Sequence, residues 1–297
     1  MLIPHIEGDA ALIRHARDDK KNGHLGVSPT HVVLAGNGVT VGGTAPLLRA
    51  IMEVTGRAVA ERAAASVCAV LAQSYKDRKH FALKDLMEVI DNVGSLDEYL
   101  ADYYALKASL SRHYSEGYGS GELRLRTSKT VDSAIDSVPS NEIGLITTNW
   151  DVCLWESAKF ENVIQLHGLA GQPESIVLPG EFSSDEELAE VLDNHGFKIE
   201  DDKIRTQVQR MFRGDFRRPL AAALQTAGFW LDRADTIIVW GLAFHPYDSE
   251  VCKLAWDVSQ SSNASKRIIV VNPSETAREV CRFLFSSEKL KCSEFTE

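Results

Sequence analysis

The chain has no apolar run approaching the roughly 20 residues that a membrane-spanning helix requires, which excludes a helical membrane protein. Its first thirty residues have no apolar core behind a positive start. His5, Glu7, Asp9, Arg14, Arg17 and the run Asp18-Asp19-Lys20-Lys21 interrupt it, so no export signal is expected. Cysteine is scarce: the five residues, at 68, 153, 252, 281 and 292, are odd in number and never spaced as CxxC. That argues against both a disulfide framework and a zinc knuckle, and predicts reduced thiols in a cytoplasmic protein with no metal.

Positive charge is also in deficit. A net charge of −10 and an isoelectric point near 5.4 make broad contact with a phosphate backbone costly, so no direct nucleic-acid partner is expected. The densest basic group, Arg210, Arg213, Arg217 and Arg218, is flanked by Asp215 and reads more readily as a solvated face than as a binding patch. Internal repeats and low-complexity linkers are missing as well.

What is present is enough chain, 297 residues, to bury a full core as one large domain with an insert. Short runs rich in Val, Ile and Leu predict strands over 31–35, 143–148, 163–166, 175–178, 236–240 and 267–271. Most are apolar throughout, as buried parallel strands are. Between the first two lies a helical insertion over about 56–140, including "RAVAERAAASVCAVLAQ" and "LDEYLADYYALKASL". The Ser95 and Glu98 spacing of a capping box starts the second helix at Leu96, and "SEGYGSGE", 115–122, reads as an exposed loop. After residue 140 strands alternate with helical stretches, among them an acidic helix over about 184–195 and "PLAAALQTAGFWLDRAD". The expected fold is one α/β domain: a parallel sheet covered by helices, with an all-helical insertion and a frayed polar tail over the last dozen residues.

The chemistry concentrates at predicted strand ends. "HVVLAGNGVTVGG", 31–43, runs from a strand into a loop containing Gly36, Gly38, Gly42 and Gly43, ahead of a helix beginning near "TAPLLRAIMEV". Backbone without side chains at a helix start suits a pyrophosphate, although such a turn is as often merely tight. No Lys-Ser or Lys-Thr follows, so a phosphate-binding loop for ATP hydrolysis is excluded. A standard Rossmann fingerprint fits poorly too, because helix stands where a second strand and its acidic residue should follow about 20 residues on.

"TTNWD", 147–151, then places Thr148, Asn149 and Asp151 at the end of a second strand, where an Asx turn is the simpler alternative. His167 ends "VIQLHG", at a position where a lone histidine is more often structural. "TIIVWG" ends in "LAFHPYDSE", and "RIIVV" in Asn272-Pro273. Each alone is a turn. Together they outline one crevice at the carboxyl edge of a sheet.

In this order the motifs resemble the sirtuin family. They read Ala35-Gly36-Asn37-Gly38-Val39-Thr40, Thr147-Thr148-Asn149-Trp150-Asp151, His167-Gly168, Gly241-Leu242-Ala243 and Val271-Asn272, with "VLPGEF", 177–182, similar to the loop after the family's histidine. The resemblance covers islands between residues 31 and 273. It implies a Rossmann-like parallel sheet flanked by helices and NAD as ligand. Gly36, Asn37, Gly38 and Thr40 would lie near the phosphates, with Asn149, Asp151, Thr148 and His167 around the nicotinamide ribose. Gly241 and Asn272 would stand on the adenosine side.

Family deacylases carry four zinc-binding cysteines between the histidine and the next glycine loop, whereas residues 168–240 contain none. Asn37 replaces the family's usual alanine and Ala243 its usual hydroxyl residue, while Phe244, His245, Tyr247 and Asp248 have no assigned role. The missing zinc module shifts the implied activity from protein deacylation to cleavage of NAD, as in bacterial sirtuin-like NADases of antiphage defence. By that resemblance Asn149 orients water or ribose, His167 accepts a proton and Asp151 organises the site. A separately encoded ATPase or nucleic-acid sensor, or self-assembly into a homo-oligomer, would control it. A non-catalytic module binding NAD or ADP-ribose is the rival reading, ahead of a deacylase or ADP-ribosyltransferase.

Overall fold

The computed structural model describes residues 13–14, 28–60, 63–64, 66–68, 70, 94–178, 217–244, 249–261 and 265–297. Strand β1 (Ile13–Arg14) is followed by β2 (His31–Ala35), β3 (Thr40–Val41), helix α1 (Thr44–Thr55), α2 (Gly94–Ser120), β4 (Arg124–Leu125) and α3 (Lys129–Ile135). Then come β5 (Ile143–Thr147), β6 (Asn162–Gln165), α4 (Arg217–Arg233) and β7 (Thr236–Trp240). The chain ends with α5 (Ser249–Ser261), β8 (Lys266–Val271), α6 (Glu275–Leu284) and β9 (Leu290–Phe295).

Seven strands form one sheet in the order β1-β6-β5-β2-β7-β8-β9, and all neighbours except the β1 edge are parallel. Numbered along the chain, the six parallel strands run 3-2-1-4-5-6, the order of a doubly wound dinucleotide-binding sheet. The fold is therefore Rossmann-like. The second strand of that order is β5, and the long crossover from β2 accommodates the insertion, which is why no further strand of the main sheet follows β2 at the usual distance.

Every residue of β2, β5 and β7 except His31 is buried, because helices cover both faces. Side chains alternate between them with the period of two. Val32 and Leu34 face Ala227, Trp230 and Leu231 of α4, with Val251 and Ala255 of α5; Val33 and Ala35 share the opposite cluster with Val131 and Ile135 of α3. A third cluster belongs to the insertion. It joins Ala50 and Ile51 of α1 to Leu106, Leu110 and Tyr114 of α2, and takes in Trp150, Ile176 and Leu178 from the sheet's carboxyl edge. The insertion thus packs directly beside the loops that follow the strands.

Several expectations need correction. Residues 115–122 are not a loop: α2 continues to Ser120, and Gly117 is buried so that Leu123 can pack on it, since an added Cβ would lie 3.0 Å from that side chain. The helix also already includes Gly94 and Ser95, ahead of Leu96. The insertion is not wholly helical, because β4 returns to pair with β3. Residues 175–178 form no strand; Ile176 and Leu178 enter the insertion core, while Val177 donates its amide to the His167 carbonyl. The last dozen residues do not fray, for β9 completes the sheet and the Glu297 carboxylate accepts hydrogen bonds from Ser128 and Thr130 at the start of α3. The helix expected over 184–195, Arg210, Arg213, residues 179–182, His245, Tyr247 and Asp248 lie outside the described residues.

Candidate functional site

Gln165, Thr147, Ala35, Trp240 and Val271 are successive partners in one row across the parallel sheet. Each residue nominated from sequence follows a member of that row. Gly36, Asn37, Gly38 and Thr40 come after Ala35; Thr148, Asn149 and Asp151 after Thr147. His167 comes two residues after Gln165, Gly241 directly after Trp240 and Asn272 directly after Val271. Parallel pairing therefore gathers them at one edge, with the strand order reversing between β2 and β7.

At that reversal two loops close on each other through backbone alone. Gly36 donates its amide to the Trp240 carbonyl at 3.1 Å and Gly38 to the Gly241 carbonyl at 2.9 Å. A Cβ on Gly36 would fall 2.8 Å from the Leu242 Cα, and one on Gly38 would fall 2.8 Å from the Gly241 oxygen. Gly241 itself holds φ at 61°. The glycines' first task is this close approach, and the Gly36 and Gly38 amides are engaged in it. Asn37 and Gly38 remain exposed. The turn does not feed straight into a helix, since a 3-10 turn over Asn37–Val39 and β3 intervene before α1. Pairing of β3 with β4 instead brings in Arg126, whose Nε donates to the Gly38 carbonyl at 3.1 Å.

Beside this turn lies a buried polar chain. Thr40 Oγ1 donates to Asp151 Oδ2 at 2.9 Å and accepts from Asn149 Nδ2 at 3.1 Å. The chain has one direction: the Thr40 hydroxyl donates its proton to the Asp151 carboxyl oxygen, leaving its own oxygen to receive the Asn149 amide. Asn149 Oδ1 is then the end left over, and no described residue hydrogen-bonds to it although Asn149 is wholly buried. Leaving such an oxygen unsatisfied costs about 1–3 kcal/mol, so a hydrogen-bond donor belongs there. Asp151 Oδ1 accepts from the Cys153 amide at 2.9 Å, the Asx turn that the sequence allowed. Burial pushes the Asp151 carboxyl above its ordinary range, opposed by the hydrogen bonds from Cys153 and Thr40. Trp150, between the two polar residues, anchors the segment in the insertion core against Tyr114 and donates Nε1 to the Val177 carbonyl.

On the neighbouring strand end, Gln165 Nε2 donates to the Asn149 carbonyl. His167, also buried, hydrogen-bonds through Nε2 to Glu250 Oε1 in the first turn of α5. Glu250 closes the "LAFHPYDSE" stretch but stands 83 residues from His167, so sequence reasoning assigned it no role. Asn272 is buried with both ends of its side chain engaged: Nδ2 donates to the Leu242 carbonyl and Oδ1 accepts from the Ser274 amide. It holds the Gly241–Leu242 loop against the start of α6. Thr148 is buried and donates its amide to the Ala35 carbonyl. Phe244 is buried at a φ of 50°, unusual for a bulky side chain, and packs edge-on against Phe285.

No protein-family model matches the chain, and no curated protein matches it significantly. Among the described residues no helix is long and apolar enough to cross a membrane.

Proposed function

We propose that the protein is an NAD hydrolase that cleaves NAD to ADP-ribose and nicotinamide. The observation carrying this reading is the buried Asn149 amide, oriented by Thr40 and Asp151 with Oδ1 left for a polar group, beside His167 at the carboxyl edge of a sheet with the dinucleotide-binding strand order. The sirtuin-like order of the motifs supplies the ligand class.

Cleavage of the nicotinamide–ribose bond builds positive charge on the sugar, through an oxocarbenium-like state. Water adds to the anomeric carbon, and the bond electrons return to the pyridinium nitrogen so that nicotinamide leaves neutral. The surplus proton from water passes to His167 and on to solvent. Asn149 Oδ1 accepts a hydrogen bond from the water or a ribose hydroxyl, and Asp151 acts through Thr40 to fix which end of the amide is presented.

Asn149 and His167 are both deeply set, at 0% and 7% exposure. The role this reading gives the site is that of an NAD-depleting effector of bacterial antiphage defence, held off until self-association or a separately encoded ATPase or nucleic-acid sensor releases it. Asn149→Ala and His167→Ala are each expected to lower nicotinamide release by at least about 100-fold in a folded protein. Unchanged release in either purified variant contradicts the assignment. NAD bound but never cleaved by wild type would favour the regulatory binding module instead.

A further inference from the structure

Glu250 ends the "LAFHPYDSE" stretch, outside the five family-like islands, yet it is buried at 8% exposure and meets His167 Nε2 through Oε1. Its place in the first turn of the 13-residue helix α5 sets it where the helix's unpaired amides put positive potential, which offsets part of the cost of burying a carboxylate's charge. An ionised carboxylate can only accept, so Nε2 must carry the proton. In the neutral ring the acceptor is then Nδ1.

We infer that Glu250 is a positioning residue for His167. It holds the ring in one orientation and in the Nε2-protonated tautomer, so that Nδ1 takes the proton released during cleavage, and it stabilises the imidazolium that results. Among the described elements α5 is the next after β7, so the partner of His167 comes from the chain beyond the strand-order reversal rather than from the histidine's own segment. The inference rests on the NAD-cleaving reading for its chemistry, while the pairing itself can be read without turnover.

Two readouts test it. In steady-state nicotinamide release, Glu250→Ala is expected to lose about 100-fold in kcat with KM for NAD within about threefold. Glu250→Gln, whose oxygen still accepts from Nε2–H but lacks charge, is expected to recover to within about tenfold of wild type. In histidine-nitrogen NMR of labelled protein, the signal of His167 among the nine histidines is identified by its loss in His167→Asn. Wild type and Glu250→Gln should show Nε2 protonated, and Glu250→Ala should show averaged tautomers. Wild-type kcat in Glu250→Ala, or His167 shifts that this change leaves in place, overturns the inference. If Glu250→Ala does not fold, a Glu250→Gln spectrum without the Nε2-protonated tautomer overturns it equally. If wild type releases no nicotinamide, the hydrolase reading falls, and the NMR comparison alone decides the pairing.

Discussion

Asn149 illustrates how little of a side chain's role lies in its own chemistry. Its amide has two ends, and the choice between them is made two hydrogen bonds away, at the Asp151 carboxyl oxygen that accepts from Thr40. Thr40→Val removes the link and should lower nicotinamide release about 10- to 100-fold, whereas Thr40→Ser, which keeps the hydroxyl, should stay near wild type. Equal rates in the two variants would mean the chain is only structural. The raised Asp151 pKa has its own consequence. The folded state holds that proton more tightly than the unfolded chain, so the stabilisation is complete below the ordinary aspartate range and is lost as pH rises through the folded value. Urea midpoints of wild type relative to Asp151→Asn should therefore fall as pH rises from about 4. A flat difference would show that burial does not disfavour the charge. Asn149, Asp151 and His167 were legible because polar residues at the ends of apolar strands stand out. Glu250 was not, since only the folded helix α5 brings it to His167.

The elements were legible where both faces of a strand are buried. β2, β5, β7 and β8 read as mostly aliphatic runs for that reason. β9 escaped because it is an edge strand with mostly exposed residues, "LKCSEF", whose only deeply buried member is Leu290. The apolar run 175–178 misled for the opposite reason: its side chains are buried, but by the insertion rather than by a neighbouring strand. Gly36 and Gly38 signalled a close backbone approach, and the partner proved to be the Gly241 loop two hundred residues on, which spacing alone does not reveal. Gly144 is the most specific demand within an element. A Cβ there would lie 2.8 Å from the Trp230 ring and 2.9 Å from Pro29. Gly144→Val should destabilise the fold by roughly 1–3 kcal/mol in denaturant unfolding, and a variant as stable as wild type would contradict the packing of α4 on β5.

For the whole molecule, the sheet and the insertion act as two cores that share one seam. Trp150 joins the insertion core while Asn149 and Asp151, on either side of it, join the polar chain to Thr40. At the far end of the chain Glu297 meets the start of α3, so the last strand is tied back to the insertion's return. A shift of the insertion would move the Asn149 amide with it, which under the proposed function would give self-association or a partner a mechanical route to the site. The most direct measurement is product analysis of NAD incubated with the purified full chain, across protein concentrations and with the products of neighbouring genes added. Equimolar nicotinamide and ADP-ribose are expected, with the rate per chain rising on assembly or partner addition. NAD recovered intact under all of these conditions would contradict the hydrolase reading.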